Sequence, residues 1–190
     1  RILIVRTDRI GDVLLSTPVI QALRQKFPQA YISMMVAPQA RDILDGNPYL
    51  DEVIVYDKDG KHKGSYSSFK FSGKLKKRKF DLAVILHPTN RTHLLTFLAG
   101  IPKRLGYNRK LGFLLNQRKN HVKQEGQKHE AEYNLDLLGD LGLTGNSQDL
   151  FMPIRQESEQ YIRELFSKEG IKETDKLLAI NPGASCPSKL

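Results

Sequence analysis

Asp8 and Asp12 lie four residues apart in a polar turn after an apolar run, where a carboxylate could take a proton from a substrate hydroxyl. The run, Ile2-Leu3-Ile4-Val5, is short and rich in β-branched side chains, as a buried parallel strand requires. Arg6–Gly11 is turn-like. From Asp12 onward Leu15, Val19, Leu23 and Phe27 recur every fourth residue, with Val13, Ile20 and Ala22 beside them, so one helix is expected over 12–27. In an open α/β sheet, ligands sit outside the carboxyl ends of the strands, which sends Asp12 to a crevice. The same position also suits an N-cap, where an aspartate accepts a hydrogen bond from an unpaired helix amide. Spacing alone leaves both roles open, and Asp8 competes for either. Only Gly11 stands where a dinucleotide-binding turn carries three glycines, so that fingerprint is not read here.

The other chemistry-bearing residues are sparse. His62, His87, His93, His121 and His129 are scattered without metal-ligand spacing, and no metal cofactor is expected. Cys186 is the single cysteine, which excludes an internal disulfide and suits a reducing compartment. No apolar run approaches the roughly 18 residues that span a bilayer, and no signal peptide is visible, so a cytoplasmic protein is expected.

The net charge of +9 is unevenly placed. Lys58–Lys79 carries nine Lys and Arg against Asp59 alone, and Lys103–Lys128 carries eight against Glu125 alone, leaving the rest mildly acidic. Two basic blocks point to a polyanionic partner: a nucleic acid, a phosphorylated glycolipid or an anionic membrane surface. A solvated lysine-rich loop accounts for the first block equally well.

Further strands are expected at Tyr31–Val36, Glu52–Tyr56, Asp81–Leu86 and within Pro102–Tyr107, with short helices at Pro38–Leu44 and Leu75–Phe80. Lys58–Gly73 is too polar for core and reads as a functional loop. Asp81–Leu86 delivers His87-Pro88-Thr89-Asn90-Arg91 at its carboxyl end, before a helix over Thr92–Ala99 stopped by Gly100. An irregular basic stretch to about Lys128 precedes a helix at His129–Leu141, with Leu135, Leu138 and Leu141 inward and Gly142 as its stop. Met34-Met35 reads as core packing. The alternation argues a doubly wound, mostly parallel α/β sheet of Rossmann-like kind. Met152-Pro153 looks like a boundary before an amphipathic helix at Glu157–Lys168, and Lys176–Ile180 reads as a buried strand entering Asn181-Pro182-Gly183-Ala184-Ser185. A Pro-Gly-small loop after a strand lets backbone approach a phosphate closely. The expected divisions are 1–152, a linker helix at 153–172, and the opening of a second α/β domain at 173–190. The chain begins at Arg1 and stops inside that last motif, so it reads as a piece of a longer chain.

These pieces together resemble the bacterial ADP-heptose:lipopolysaccharide heptosyltransferases (glycosyltransferase family 9, GT-B architecture). The likeness is carried by D-x-x-G-D-V-L at Asp8–Leu14 with Pro18 and Leu23-Arg24, and by FPQA at Phe27–Ala30. It continues in A-G-I-P-x-R-x-G-Y at Ala99–Tyr107 with Leu114-Leu115-Asn116, in His129-Glu130, and in NPGAS with Lys189.

The resemblance implies the N-terminal half of a two-domain, inverting, metal-independent transferase that moves heptose from ADP-heptose to the Kdo- and heptose-bearing inner core of lipid A. It implies Asp12 as the general base, and Gly183, Ala184, Ser185 and Lys189 at the donor diphosphate. Gly11, Lys61, Lys63, Arg104, Arg109 and Lys110 are then the candidate contacts to an anionic glycolipid acceptor. Peripheral contact with the cytoplasmic face of the inner membrane is implied, nucleic acid is not, and the 190-residue piece alone is expected to be inactive. The Lys-rich Lys58–Gly73 stretch, and Ser and Cys near Lys189 where relatives carry Thr pairs, depart from the family pattern. Two alternatives stay open: a related transferase using another nucleotide-sugar, and a non-catalytic polyanion-binding α/β domain.

Overall fold

Six strands form one wholly parallel sheet in the order β3-β2-β1-β4-β5-β6. A computed structural model of the chain describes residues 1–143, 148–172 and 174–180. The strands are β1 (Ile2–Arg6), β2 (Ile32–Val36), β3 (Glu52–Val55), β4 (Leu82–Ile85), β5 (Lys103–Tyr107) and β6 (Gln117–Lys119). The helices are α1 (Ile10–Leu14), α2 (Thr17–Lys26), α3 (Arg41–Leu44), α4 (Ser65–Lys77), α5 (Asn90–Leu98), α6 (Glu130–Asp136) and α7 (Gln156–Lys168). The chain divides into a unit at Arg1–Pro153, which contains the whole sheet, and one at Ile154–Leu190.

Alternation along each strand sorts side chains onto two faces. Ile2 and Ile4 join Val19, Leu23, Met34 and Val84 in one core, which also takes Leu137 and Leu138. Leu3 and Val5 join Met35, Ala83 and Ile85 in the other, under Phe71, Leu75 and Leu95 of α4 and α5. By the same parity Arg6, next after Val5, is sent to the first face. Both Met34 and Met35 are fully buried, as core packing requires. The chain order reverses direction between β1 and β4, so the crevice of this fold opens at the carboxyl ends of those two strands.

Local chemistry changes several sequence expectations. The helix over 12–27 is two helices. Pro18 has no N–H for the Leu14 carbonyl, and the Thr17 hydroxyl donates to that oxygen instead at 2.8 Å. The Ser16 hydroxyl donates to the Asp12 carbonyl at 2.7 Å, so the junction is held by side chains. The first helix starts at Ile10 with Arg9 as its N-cap, so Asp12 lies inside it and is not a cap.

Lys58–Gly73 is not a loop throughout, because α4 begins at Ser65 and absorbs the separate helix expected at Leu75–Phe80. Its inward face is Ser68, Phe71, Ser72 and Leu75 at helical spacing, and the two serines masked the apolar stripe. Phe71 packs on Tyr56 and His62, with ring centroids 4.8 and 4.7 Å apart. The irregular basic stretch contains β6, a polar edge strand that carries no apolar signal. Thr89 caps α5 by accepting from the Thr92 amide, while the Thr92 hydroxyl accepts from the Thr89 amide. The helix expected at His129–Leu141 is α helix only to Asp136 and continues as a 3-10 turn to Leu141, where Gly142 turns left-handed at φ 72°. Leu138 is fully buried as expected, Leu135 and Leu141 pack only partly against the core, and Asn134 and Leu137 are buried beside it.

In the second unit α7 is amphipathic, with Leu165 and Phe166 half-buried. Lys176–Ile180 is not a buried strand: Leu177, Leu178 and Ile180 are exposed and no strand is formed there. An apolar run becomes a strand only beside a hydrogen-bonding neighbour, and the described residues of this unit supply none.

Candidate active site

Arg6 emerges from the end of β1 on the face predicted by alternation, almost completely buried, and its guanidinium gathers three carboxylates. Nε donates to Asp8 at 2.8 Å, Nη2 pairs with Asp12 Oδ1 at 3.1 Å, and Nη1 pairs with Glu130 Oε1 at 3.0 Å. Nη1 also reaches the Asn134 side-chain oxygen at 3.3 Å and the Leu86 carbonyl at 3.4 Å. The planar fork of an arginine supplies this many directed donors where a lysine cannot. It joins β1, β4 and α6 at the switch point of the sheet.

A second cation completes the arrangement. Lys123 Nζ lies 2.5 Å from Glu130 Oε1 and 3.1 Å from Asn134 Oδ1, over the face of Tyr107 at 5.1 Å. The Asn134 amide donates back to the Leu15 carbonyl at 3.2 Å and the Ser16 hydroxyl at 3.4 Å, tying α6 to the α1–α2 junction. Tyr107 donates to the Tyr133 carbonyl at 2.5 Å, and burial first, then Asp136 and Glu130, push its hydroxyl well above the usual range. Burial pulls the Lys123 ammonium down, with Glu130 opposing. Burial pushes Glu130 up, but Lys123 and Arg6 more than offset it and hold the carboxyl below its ordinary value. These two directions pull against each other; the 2.5 Å contact and the second cation on Glu130 favour the ionised pair.

A carboxyl held low in the folded state stabilises above its unfolded pKa, about 4.3, and loses that contribution as pH falls through the folded value. Glu130→Gln is therefore expected to lower the urea midpoint at pH 7, and the gap to the parent should narrow below about pH 4. Midpoints taken from pH 7 to 3 check this; a gap independent of pH would contradict it.

Around these groups lies an open cleft that also takes in His87, Pro88 and Thr89 from the end of β4, and Arg109 and Lys110 after β5. His87 is pulled below the usual histidine range, chiefly by burial. Among the described residues its Nδ1 has no hydrogen-bond partner. Of the three carboxylates Asp12 is the most open, 32% exposed at the side chain against 25% for Glu130 and 17% for Asp8. Oδ1 of Asp12 is held by Arg6, and no contact to its other oxygen is seen among the described residues.

The structure thus brings Asp12, Arg109 and Lys110 to one cleft, with Gly11 exposed next to Asp12. Arg104 is not brought there. It is the second residue of β5, and in a parallel sheet that is the amino-terminal edge, away from the cleft. Its Nε donates to the Leu114 carbonyl at 2.8 Å, its backbone amide to Asn116 Oδ1 at 2.7 Å, and the Asn116 amide reaches the Pro102 carbonyl. The A-G-I-P-x-R…L-L-N pattern therefore clamps two segments together, a structural task. Lys61 and Lys63 are exposed in the turn before α4 and do not line the cleft, and the Lys63 carbonyl accepts from Arg91 at 3.0 Å. Gly183, Ala184, Ser185 and Lys189 lie outside the described residues. Among those residues no group of three or more His, Cys, Asp or Glu side chains could hold a metal ion.

Sequence reading missed Arg6, Lys123 and Asn134 and saw Glu130 only as part of a motif. One local signal existed: Glu130 and Asn134 are polar at i and i+4 on the helix face that Leu137 and Leu138 continue inward.

The fold and site define an α/β domain of the ligand-binding, doubly wound kind, with a carboxylate-bearing cleft at its switch point. The profile of "Glycosyltransferase family 9 (heptosyltransferase)" matches residues 68–190, and the chain belongs to this family. Lipopolysaccharide heptosyltransferase 2 of Escherichia coli (strain K12) is 25% identical over 154 residues, covering 81% of this chain and 44% of the relative. The crystal structure of the family 9 glycosyl transferase from Veillonella parvula DSM 2008 superposes with a TM-score of 0.85 at 27% identity, over 98% of this chain and 55% of that one. The structure of E. coli ADP-heptose lps heptosyltransferase II gives a TM-score of 0.69 at 25% identity, over 91% and 51%. The chain spans about half the length of the curated relatives it matches.

Proposed function

We propose that this chain is part of an inverting glycosyltransferase that moves heptose from ADP-heptose to the anionic inner core of lipopolysaccharide, with Asp12 as general base. The observation that carries the reading is Asp12 itself, ionically held by Arg6 yet the most open carboxylate of the cleft. The acceptor hydroxyl attacks the anomeric carbon on the face opposite ADP, its proton passes to Asp12, and the bond from sugar to ADP breaks. A hydroxyl titrates far above pH 7, so a base within hydrogen-bond reach contributes about 10²–10⁴-fold. Arg109 and Lys110 meet phosphate or carboxylate groups of the acceptor, Arg109 with the fork geometry suited to them. Ser185, Lys189 and the amides of 183–185 take the charge growing on the leaving diphosphate, without calling on a metal.

No helix among the described residues is long and apolar enough to cross a membrane. The exposed Lys70, Lys74, Lys76 and Lys77 of α4 suit peripheral contact with an anionic surface, each adding about 1 kcal/mol. The decisive experiment offers the longer protein ADP-heptose or UDP-glucose with a deacylated Kdo-bearing acceptor and measures nucleotide release. Release of ADP that depends on the acceptor is expected. Turnover with UDP-glucose alone favours a different sugar donor, and salt-sensitive binding to DNA without turnover would replace the enzyme reading with a polyanion-binding one.

A further inference from the structure

Between α4 and α5 lies a groove of about 430 Å³ that the transfer chemistry does not use, its wall made by Ser68, Phe69, Arg91, Leu94, Leu98 and Leu111. That volume is in the range of small-molecule sites. Phe69 and Leu94 are 63% and 44% exposed, and Tyr66 and Phe97 stand uncovered on the same two helices. An apolar surface of this kind, rimmed by charge, marks a place where something apolar binds.

The groove and the Asp12 cleft are neighbours along the chain, because the segments that follow β4 and β5 contribute residues to both. The loop after β4 gives His87, Pro88 and Thr89 to the cleft, and the first turn of α5 that follows gives Asn90 and Arg91 to the groove. The loop after β5 gives Arg109 and Lys110 to the cleft and the next residue, Leu111, to the groove. Within one or two residues the lining passes from polar to basic to apolar. Arg91 stands at that junction and donates to the Lys58 and Lys63 carbonyls at 3.0 Å each, which fixes the basic turn before α4.

We infer that the groove takes an acyl chain of the anionic glycolipid acceptor while its sugar headgroup reaches Asp12. The inference rests on the transfer reading only in taking the acceptor to be a glycolipid. The order of chemistry selects this occupant: a negative head meets Arg91, Arg109 and Lys110, and a hydrocarbon tail covers Leu94, Leu98 and Phe69. A nucleic acid or a free phosphate would use the rim and leave those apolar side chains in water.

Calorimetry on the longer protein compares dodecyl phosphate, below its micelle concentration, with ethyl phosphate. Burying a methylene improves binding about fourfold, so dodecyl phosphate should bind at least about tenfold more tightly. Leu94→Glu should abolish that preference, because Leu94 is exposed enough to host a charge, while ethyl phosphate affinity stays within about twofold. Leu94→Asn, checked by thermal melting, serves if the glutamate variant does not fold. Transfer to a deacylated acceptor should be unchanged in either variant, and transfer to the acylated one should fall about tenfold or more. Equal affinity for the two alkyl phosphates, or equal loss for both acceptors, would overturn the assignment, including the case where another segment of the polypeptide fills the groove. Absence of transfer by the parent protein would remove the Asp12 reading, while the chain-length preference would still judge the groove.

Discussion

Asp12→Asn in the longer protein should slow sugar transfer about 10²–10⁴-fold and leave the urea midpoint close to that of the parent. An asparagine keeps an oxygen acceptor for Arg6 Nη2, which now lies 3.1 Å from Oδ1, so the local packing survives. What is lost is the ability to hold a proton taken from the acceptor hydroxyl. Asp8 supplies the internal control. It lines the same cleft, but it is the most enclosed of the three carboxylates and already takes the short hydrogen bond from Arg6 Nε. Asp8→Asn should therefore disturb transfer less than Asp12→Asn. Rates of ADP release at saturating acceptor separate the two variants. Retention of most of the turnover in Asp12→Asn, or a larger defect in Asp8→Asn, would take the base role away from Asp12.

Arg6→Met should destabilise the first unit by about 3–5 kcal/mol, the usual result of removing one partner from a buried ion pair. The effect is large because one guanidinium neutralises Asp8, Asp12 and Glu130 together, and Lys123 touches only the last of them. Removing it leaves carboxylates crowded in a partly dry place, where they repel one another and one must take up a proton. Arg6→Lys restores the charge but reaches fewer of the three, so an intermediate loss is expected. Urea denaturation at pH 7 and pH 5 measures both. The Arg6→Met defect should shrink at the lower pH, because proton uptake relieves the repulsion. A variant as stable as the parent would show that the carboxylates are held by other contacts. The same substitution should weaken transfer even where the chain stays folded, since Arg6 sets the position of Asp12.

Much of the architecture was legible because it depends on short-range pattern. The runs ILIV, ISMMV and LAVIL are buried on both faces, so their strands announce themselves in any context. Gly100 and Gly142 sit at the left-handed turns that end their helices, where a residue without a Cβ meets least strain. Asp12 could be placed at the mouth of the first β–turn–α unit for the same reason, since one strand and one turn suffice to put it there.

Other features needed the folded chain. The α4 helix hid behind Ser68 and Ser72, which are inward-facing but polar, and β6 hid because an edge strand of Gln, Arg and Lys has no apolar signature. Arg104 looked like a ligand contact by charge, and only the register of β5 against β4 places it on the far edge as a clamp. The arginine hub is the clearest case. Glu130 and Asn134 are 124 and 128 residues from Arg6, and no local rule joins them. Local preferences thus determined which segments become strands and helices and where one carboxylate emerges. Crossover order, strand register and the meeting of distant charges decided which of those residues form the site, because electrostatic and packing energies depend on separation in space and are blind to separation along the chain.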